Sequence, residues 1–172
     1  MISFHDIAKG SDHMIRFLHV ATETRVEFPA FVTEFSDSFQ VGWGNETIFG
    51  RMDPVKPYQG TTRTISLGFD VVAPSLQQAK ENMNNYSTLV QMMYPVYNKP
   101  LSGGFEGKGR TIKAPPILRI QFMNLIKNNS DSTLEEGLLG CISGFTFNPN
   151  KEAGFFDQNN ELLPKHFNIS FK

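Results

Sequence analysis

The chain of 172 residues holds a single cysteine, Cys141, so no internal disulfide can form. Cys141 lies in the apolar run Leu138-Leu139-Gly140-Cys141-Ile142 and is expected to be a small core residue rather than a nucleophile. No apolar stretch reaches the 18 or so residues that a membrane-crossing helix needs. The opening residues, Met1-Ile2-Ser3-Phe4-His5-Asp6, lack the basic-then-apolar order of a secretory signal, so the expected compartment is a cytosol. The Asn-x-Ser/Thr triplets at Asn45, Asn85, Asn128 and Asn168 are then chance matches. Excess charge of one sign is also missing. Sixteen basic residues face seventeen acidic ones for a net −1, which argues against general polyanion binding while leaving room for a small basic patch.

Motifs that carry chemistry are equally scarce. The segment Gly103-Gly104-Phe105-Glu106-Gly107-Lys108-Gly109-Arg110 looks at first like a phosphate loop. Its first required glycine would fall on Ser102, and Gly109 stands where a magnesium-binding Ser or Thr is needed. His5, His13, His19 and His166 are scattered, with no pair at the helical spacing that metal sites use. No Gly-x-Ser-x-Gly elbow exists, and Glu135-Glu136 lie in a polar stretch where solvation is the default. A carboxylate pair of the glycosidase type need not be close along the chain, and spacing leaves that one class open. The expectation is a protein with no cofactor and no metal that is not an enzyme.

What is abundant is phenylalanine, at sixteen residues against one Trp and four Tyr. Phe favours strands and buries a large ring that needs no polar partner, so a β-rich core follows, with some rings left for subunit contacts. The length suits one domain, 1–172, with an N-terminal arm at 1–14. Residues 15–20 alternate as a strand. Residues 26–35 form another, and Pro29 marks an edge or a bulge. Ser36-Asp37-Ser38 reads as a turn, after which 38–49 pairs back. Thr64 to Val71 is the clearest strand, with Ile65, Leu67, Phe69 and Val71 on one face. A helix follows, capped by Ser75 with Gln78 three positions on. Its stripe runs Leu76, Ala79, Met83, Tyr86, Val90, Met93, and Tyr94-Pro95 ends it. Residues 98–116 form a long Gly/Pro-rich loop, which at this length is usually functional. Leu118 to Phe122, Leu138 to Phe147 and Phe167 to Phe171 complete the strands. The fold class is mainly β with one long helix, a barrel or sandwich of six to eight mostly antiparallel strands.

The segment Phe49 to Tyr58 joins an extended region to the strongest strand. Arg51 and Asp53 are placed to pair locally, and Asp53-Pro54 favours a turn. It reads either as a rigid surface connection or as a contact loop docking on a neighbour through Arg51, with Arg63 close by.

Several strings taken in order resemble baseplate and tail-tube-initiator proteins of contractile-tailed phages. They are Val41-Gly42-Trp43-Gly44, then Phe49-Gly50-Arg51-Met52-Asp53-Pro54, then Tyr58-Gln59-Gly60-Thr61-Thr62-Arg63. The helix exit Tyr94-Pro95-x-Tyr97, Pro115-Pro116-Ile117-Leu118 and Glu152-Ala153-Gly154-Phe155-Phe156 are similar too. The likeness covers roughly residues 40–172. It implies a tail-tube-like fold and a structural virion protein of hub or tube-initiator type, made in a host cytoplasm. Such a protein forms a homo-oligomeric ring, six-fold when assembled, that joins tube to baseplate. Its partners would be other baseplate and tail-tube proteins, with DNA passing through the channel and no membrane involved. Arg51, Asp53, Tyr58, Arg63, Phe105, Lys108 and Arg110 are the candidate subunit-contact residues. A peripheral wedge protein and a small-ligand or carbohydrate-binding β-domain are the alternatives. A neutral or acidic inward surface would favour the channel, and a deep apolar pocket with convergent polar groups would favour the ligand.

Overall fold

A computed structural model describes residues 13–29, 31–98, 111–127, 137–158 and 161–172. Period-2 alternation builds two four-stranded antiparallel sheets whose apolar faces meet. The first is ordered β2 (Thr24–Pro29), β1 (Met14–His19), β7 (Leu118–Phe122), β8 (Leu138–Gly140). The second is ordered β3 (Phe31–Trp43), β4 (Tyr58–Val72), β12 (His166–Phe171), β9 (Phe145–Pro149). Two short ribbons add to them: β5 (Val96–Tyr97) with β6 (Ile112–Ala114), and β10 (Phe155–Gln158) with β11 (Glu161–Pro164). Neither main sheet closes into a barrel, so the sandwich form of the expected fold is the one adopted.

The core explains most of the phenylalanine. Phe17 of the first sheet meets Phe171 of the second edge to face at 5.5 Å, and Phe28 meets Phe69 at 5.9 Å. These rings are fully or almost fully buried together with Ile15, Leu67, Val71, Leu118, Phe167 and Ile169. Edge-to-face contacts of this kind add about 0.5–1.5 kcal/mol each beyond the area they bury.

The single described helix, α1 (Leu76–Met92), starts at Ser75, whose Oγ accepts from the Gln78 backbone N–H at 3.3 Å. Its most buried line runs Gln78, Ala79, Asn82, Leu89, Met92, about one residue round from the expected stripe. The reason is its seat. The helix lies over the seam between the sheets rather than flat on one face. Tyr86 stacks on Phe147 of β9 at 4.2 Å, while Asn85 donates to the Glu27 carbonyl on the edge of β2. One lateral seam of the sandwich is closed in this way.

The chain departs from its sequence reading in several places. Ser36-Asp37-Ser38 is not a turn, because β3 runs straight through it and each residue pairs with β4. The local turn preference loses to cross-strand pairing. Leu138 to Phe147 is two strands in different sheets, separated by 141–144, where the chain crosses from one sheet to the other. Cys141 lies on that crossing and is exposed, not core. Met14 already belongs to β1, and residues 1–12 of the expected arm lie outside the described residues. Of the expected loop 98–116, residues 112–114 form β6 and residues 99–110 lie outside the described residues. The β10–β11 hairpin was not foreseen. Residues 26–35 are not one strand: β2 ends at Pro29 on the edge of the first sheet and β3 starts at Phe31 in the second, because proline cannot donate to a continuing ladder.

Candidate functional site

The two longest strands, β3 and β4, form a hairpin whose root belongs to the sandwich and whose outer half leaves it. β12 pairs with β4 only from Leu67 to Val72, so no strand among the described residues pairs with the outer edges of the hairpin from Ser36 to Trp43 or from Tyr58 to Ser66. At roughly 3.4 Å per residue, Ser36 to Trp43 forms an arm about 27 Å long. The arm is ordered to its end by backbone bonds. Gly44 N–H donates to Pro57 O at 2.8 Å, and Glu46 and Val55 exchange two bonds of 2.9 Å. The tip is a tight turn in which Arg51 N–H reaches Ile48 O at 3.2 Å. Gly50 holds φ +88° there, a conformation that suits glycine.

Directly paired residues of an antiparallel ribbon share a face. Phe35, Asp37, Phe39 and Val41 therefore lie with Leu67, Ile65, Arg63 and Thr61, on the face that continues the apolar core. Ser36, Ser38 and Gln40 lie with Ser66, Thr64 and Thr62 on the other face, which carries no charge along this stretch. On the first face Phe39 is 61% exposed, Val41 46% and Trp43 58%. Trp43 meets Tyr58 edge to face at 5.4 Å. The face has one ion pair at its middle. Arg63 grips Asp37 through two bonds, 3.0 Å from Nε and 2.7 Å from Nη2, and its guanidinium lies 5.2 Å from the centre of the Phe39 ring. The Arg63 hydrogen bonds hold the Asp37 carboxyl below its ordinary pKa, and Asp37 in turn raises that of Arg63.

The expected contact residues divide as follows. Arg51 and Asp53 sit at the exposed tip, and among the described residues they form no ion pair with each other. Tyr58 lies at the outer end of β4, its hydroxyl 2.6 Å from that of Thr61. Arg63 is in mid-arm, five strand positions down from Tyr58, so it is not beside Arg51 as expected. Phe105, Lys108 and Arg110 lie outside the described residues. Sequence reasoning missed Asp37, Phe39 and Trp43 as members of this surface. The alternation Phe35, Asp37, Phe39, Val41 was there to be read, but the supposed turn cut it in two. It also missed Phe49 at 106% and Met52 at 102%, the most exposed large apolar residues among the described ones, which flank the Gly50 turn.

The seam opposite α1 is open among the described residues. Between β8 and the root of the arm lies a mostly apolar groove of about 400 Å³, lined by Ile65, Ile120, Ile126, Leu139, Ile142 and Phe171 among others. Its floor runs without a break into the apolar face of the arm at Ile65 and Arg63. Convergent polar groups of a ligand site are not evident, since Arg63 on its rim is already held by Asp37.

Elsewhere, His166 lies 3.3 Å from Asp70, which also accepts from Asn168 at 2.8 Å. Both ring nitrogens of His166 are engaged, because Nδ1 is 3.1 Å from the Asn150 amide. His19 is buried with its Nδ1 at 2.7 Å from the Thr22 hydroxyl. Among the described residues no three His, Cys, Asp or Glu come together as metal ligands.

No protein-family model matches the chain, and no curated protein is significantly similar to it in sequence. Among solved structures, a chain of the anti-feeding prophage (AFP) baseplate, seen by cryo-EM with 6-fold symmetrisation, is similar over 92% of this chain and 86% of its own length. The identity is 9% and the TM-score 0.31, a likeness too slight to assign a family or a role.

Proposed function

We propose that the protein is a structural subunit of a contractile-tail baseplate, of hub-ring or tube-initiator type, that assembles through the β3–β4 arm. The observation that carries this reading is the arm itself, with both strand edges unpaired among the described residues and two unlike faces. From Ser36 to Trp43 and from Tyr58 to Ser66 neither edge holds a lysine or a proline, the residues that usually guard an exposed edge. The edge is interrupted by the bulge at Gly42 and Trp43, and its two charges, Asp37 and Arg63, neutralise each other, so the length between remains a template for another strand. When the edge of β3 in one copy pairs with the edge of β4 in the next, the contact is head to tail and closes into a ring by rotation. The neutral face of Ser, Thr and Gln then suits a channel through which DNA slides without sticking, and the apolar face packs outward against protein. The ordered sequence likeness from residue 40 onward supports the same reading, with other baseplate and tail-tube proteins as partners. In this reading the protein has no catalytic role.

A second reading rests on the groove. At about 400 Å³ it falls within the size range of small-ligand pockets, the one feature of a ligand-binding β-domain that it has without convergent polar groups.

Negative-stain imaging of the purified chain, alone and mixed with tail-tube protein, separates the two. Rings or short tube stubs are expected, and they should vanish in the Phe39→Ser/Trp43→Ser variant while its circular dichroism stays unchanged. Arg51→Ala should fold and assemble less well. A wild-type chain that stays monomeric in every mixture removes the baseplate reading.

A further inference from the structure

One row of the arm has no side chain of its own. Gly42 of β3 and Gly60 of β4 are directly paired there. The next pair outward is Trp43 with Tyr58, so Gln59 is an extra residue and the row is a β-bulge. Gly60 holds φ +151°, a conformation that residues with a Cβ rarely adopt. Both neighbouring pieces of the arm are well tied. Inward lie the regular pairs Val41–Thr61 and Phe39–Arg63, with the grip of Arg63 on Asp37. Outward, Trp43 meets Tyr58, a Cβ added to Gly44 would come within 2.9 Å of the Pro57 ring, and Glu46 and Val55 exchange backbone bonds.

We infer that the Gly42–Gly60 row is a hinge, about which residues 43–58 swing as one piece against the rest of the arm. The ribbon has a second bulge, at Thr33 opposite Gly68, and the comparison locates the motion. Gly68 also pairs with Ser170 of β12, so that bulge is held inside a four-stranded sheet, whereas no third strand pairs at Gly60 among the described residues. What bridges the Gly42–Gly60 row is slight. On the apolar face the Tyr58 hydroxyl lies 2.6 Å from that of Thr61, an exposed bond for which water competes. On the neutral face the flexible Gln59 side chain fills the space that the glycines leave, its Cβ 3.6 Å from where a Gly42 Cβ would stand and its amide nitrogen 3.2 Å from that of Gly44. A few backbone torsions at such a row are enough to re-aim a rigid tip, and a neighbour that favours one direction selects it. Phe49 and Met52 can thus be re-aimed without disturbing the faces that carry Phe39 and Arg63. The hinge belongs to the isolated chain, so the inference stands or falls apart from the ring reading.

Spin-label pairs in a Cys141→Ser background test it on the full chain. Ser87→Cys on α1 with Lys56→Cys spans the hinge, and Ser87→Cys with Ser38→Cys stops short of it, all three positions being exposed. The distance distribution of the spanning pair should be about twice as broad as that of the other, or more. Gly42→Thr, whose Cβ meets nothing nearer than the Gly60 carbonyl at 3.5 Å, should narrow the spanning pair to the width of the other. Tyr58→Phe keeps the ring, removes the hydroxyl bridge and should broaden the spanning pair further. Equal widths for the two pairs overturn the inference, whether both are narrow, as in a rigid arm, or both broad, as in an arm flexible throughout. So does a spanning pair that stays broad in a Gly42→Thr chain with unchanged circular dichroism. If Gly42→Thr does not fold, the two pairs and Tyr58→Phe still decide.

Discussion

The root and the outer half of the β3–β4 hairpin are one ribbon with two fates. In the root, Leu67, Phe69 and Val71 are buried against the opposite sheet, and Phe69 touches both Phe28 and Phe171. In the outer half the same alternation continues through Asp37, Phe39 and Val41, but no other sheet covers it among the described residues. Backbone pairing is equally regular in both, so what differs is only the cover. An alternating pattern specifies a strand with one apolar face, and it is silent on whether that face is closed by the same chain or by another.

The largest effect expected from this contrast is in the root. Phe69→Ala should cost about 3–5 kcal/mol, because it removes a fully buried ring from a cluster that cannot collapse around the gap. Urea unfolding followed by fluorescence or circular dichroism measures it, and a loss below about 1 kcal/mol would mean that the two sheets are not packed as described. Trp43→Ala, on the same ribbon, should cost the isolated chain about 1 kcal/mol or less, the worth of its contact with Tyr58. Its effect should appear in assembly instead. A large loss of monomer stability at Trp43 would erase the distinction between root and arm.

The root was legible in the sequence and the arm was not. Ile65, Leu67, Phe69 and Val71 alternate without interruption, and Ser75 before a periodic run marks a helix start by simple hydrogen-bond chemistry. The arm was obscured because Ser36, Asp37 and Ser38 favour turns in isolation. What holds them extended is remote: β4 pairs with each of them, and Arg63, twenty-six positions on, also grips Asp37, so local reading has no access to either. Cys141 was misplaced for a related reason. Its apolar neighbours suggested a strand, but Gly140 and Gly144 bracket a crossing between sheets, and a crossing lies at the surface. The groove needs both sheets and the arm root at once, so no window of sequence contains it.

The smallest expected effect concerns that same remote pair, and it tests whether the arm keeps its shape in the free chain. The Arg63 bonds lower the pKa of Asp37, so their contribution is complete above the ordinary carboxylate range and is lost as pH falls through the lowered value. Because the pair is exposed, the effect on global stability should be slight and should fade with salt. The titration itself is the sharper readout. Followed by carboxyl NMR, Asp37 should titrate below the ordinary aspartate range in the wild-type chain and return to that range in Arg63→Gln. If Asp37 titrates normally in both, the guanidinium is not held over this face, and the arm reaches its two-faced form only when a neighbouring copy lies against it.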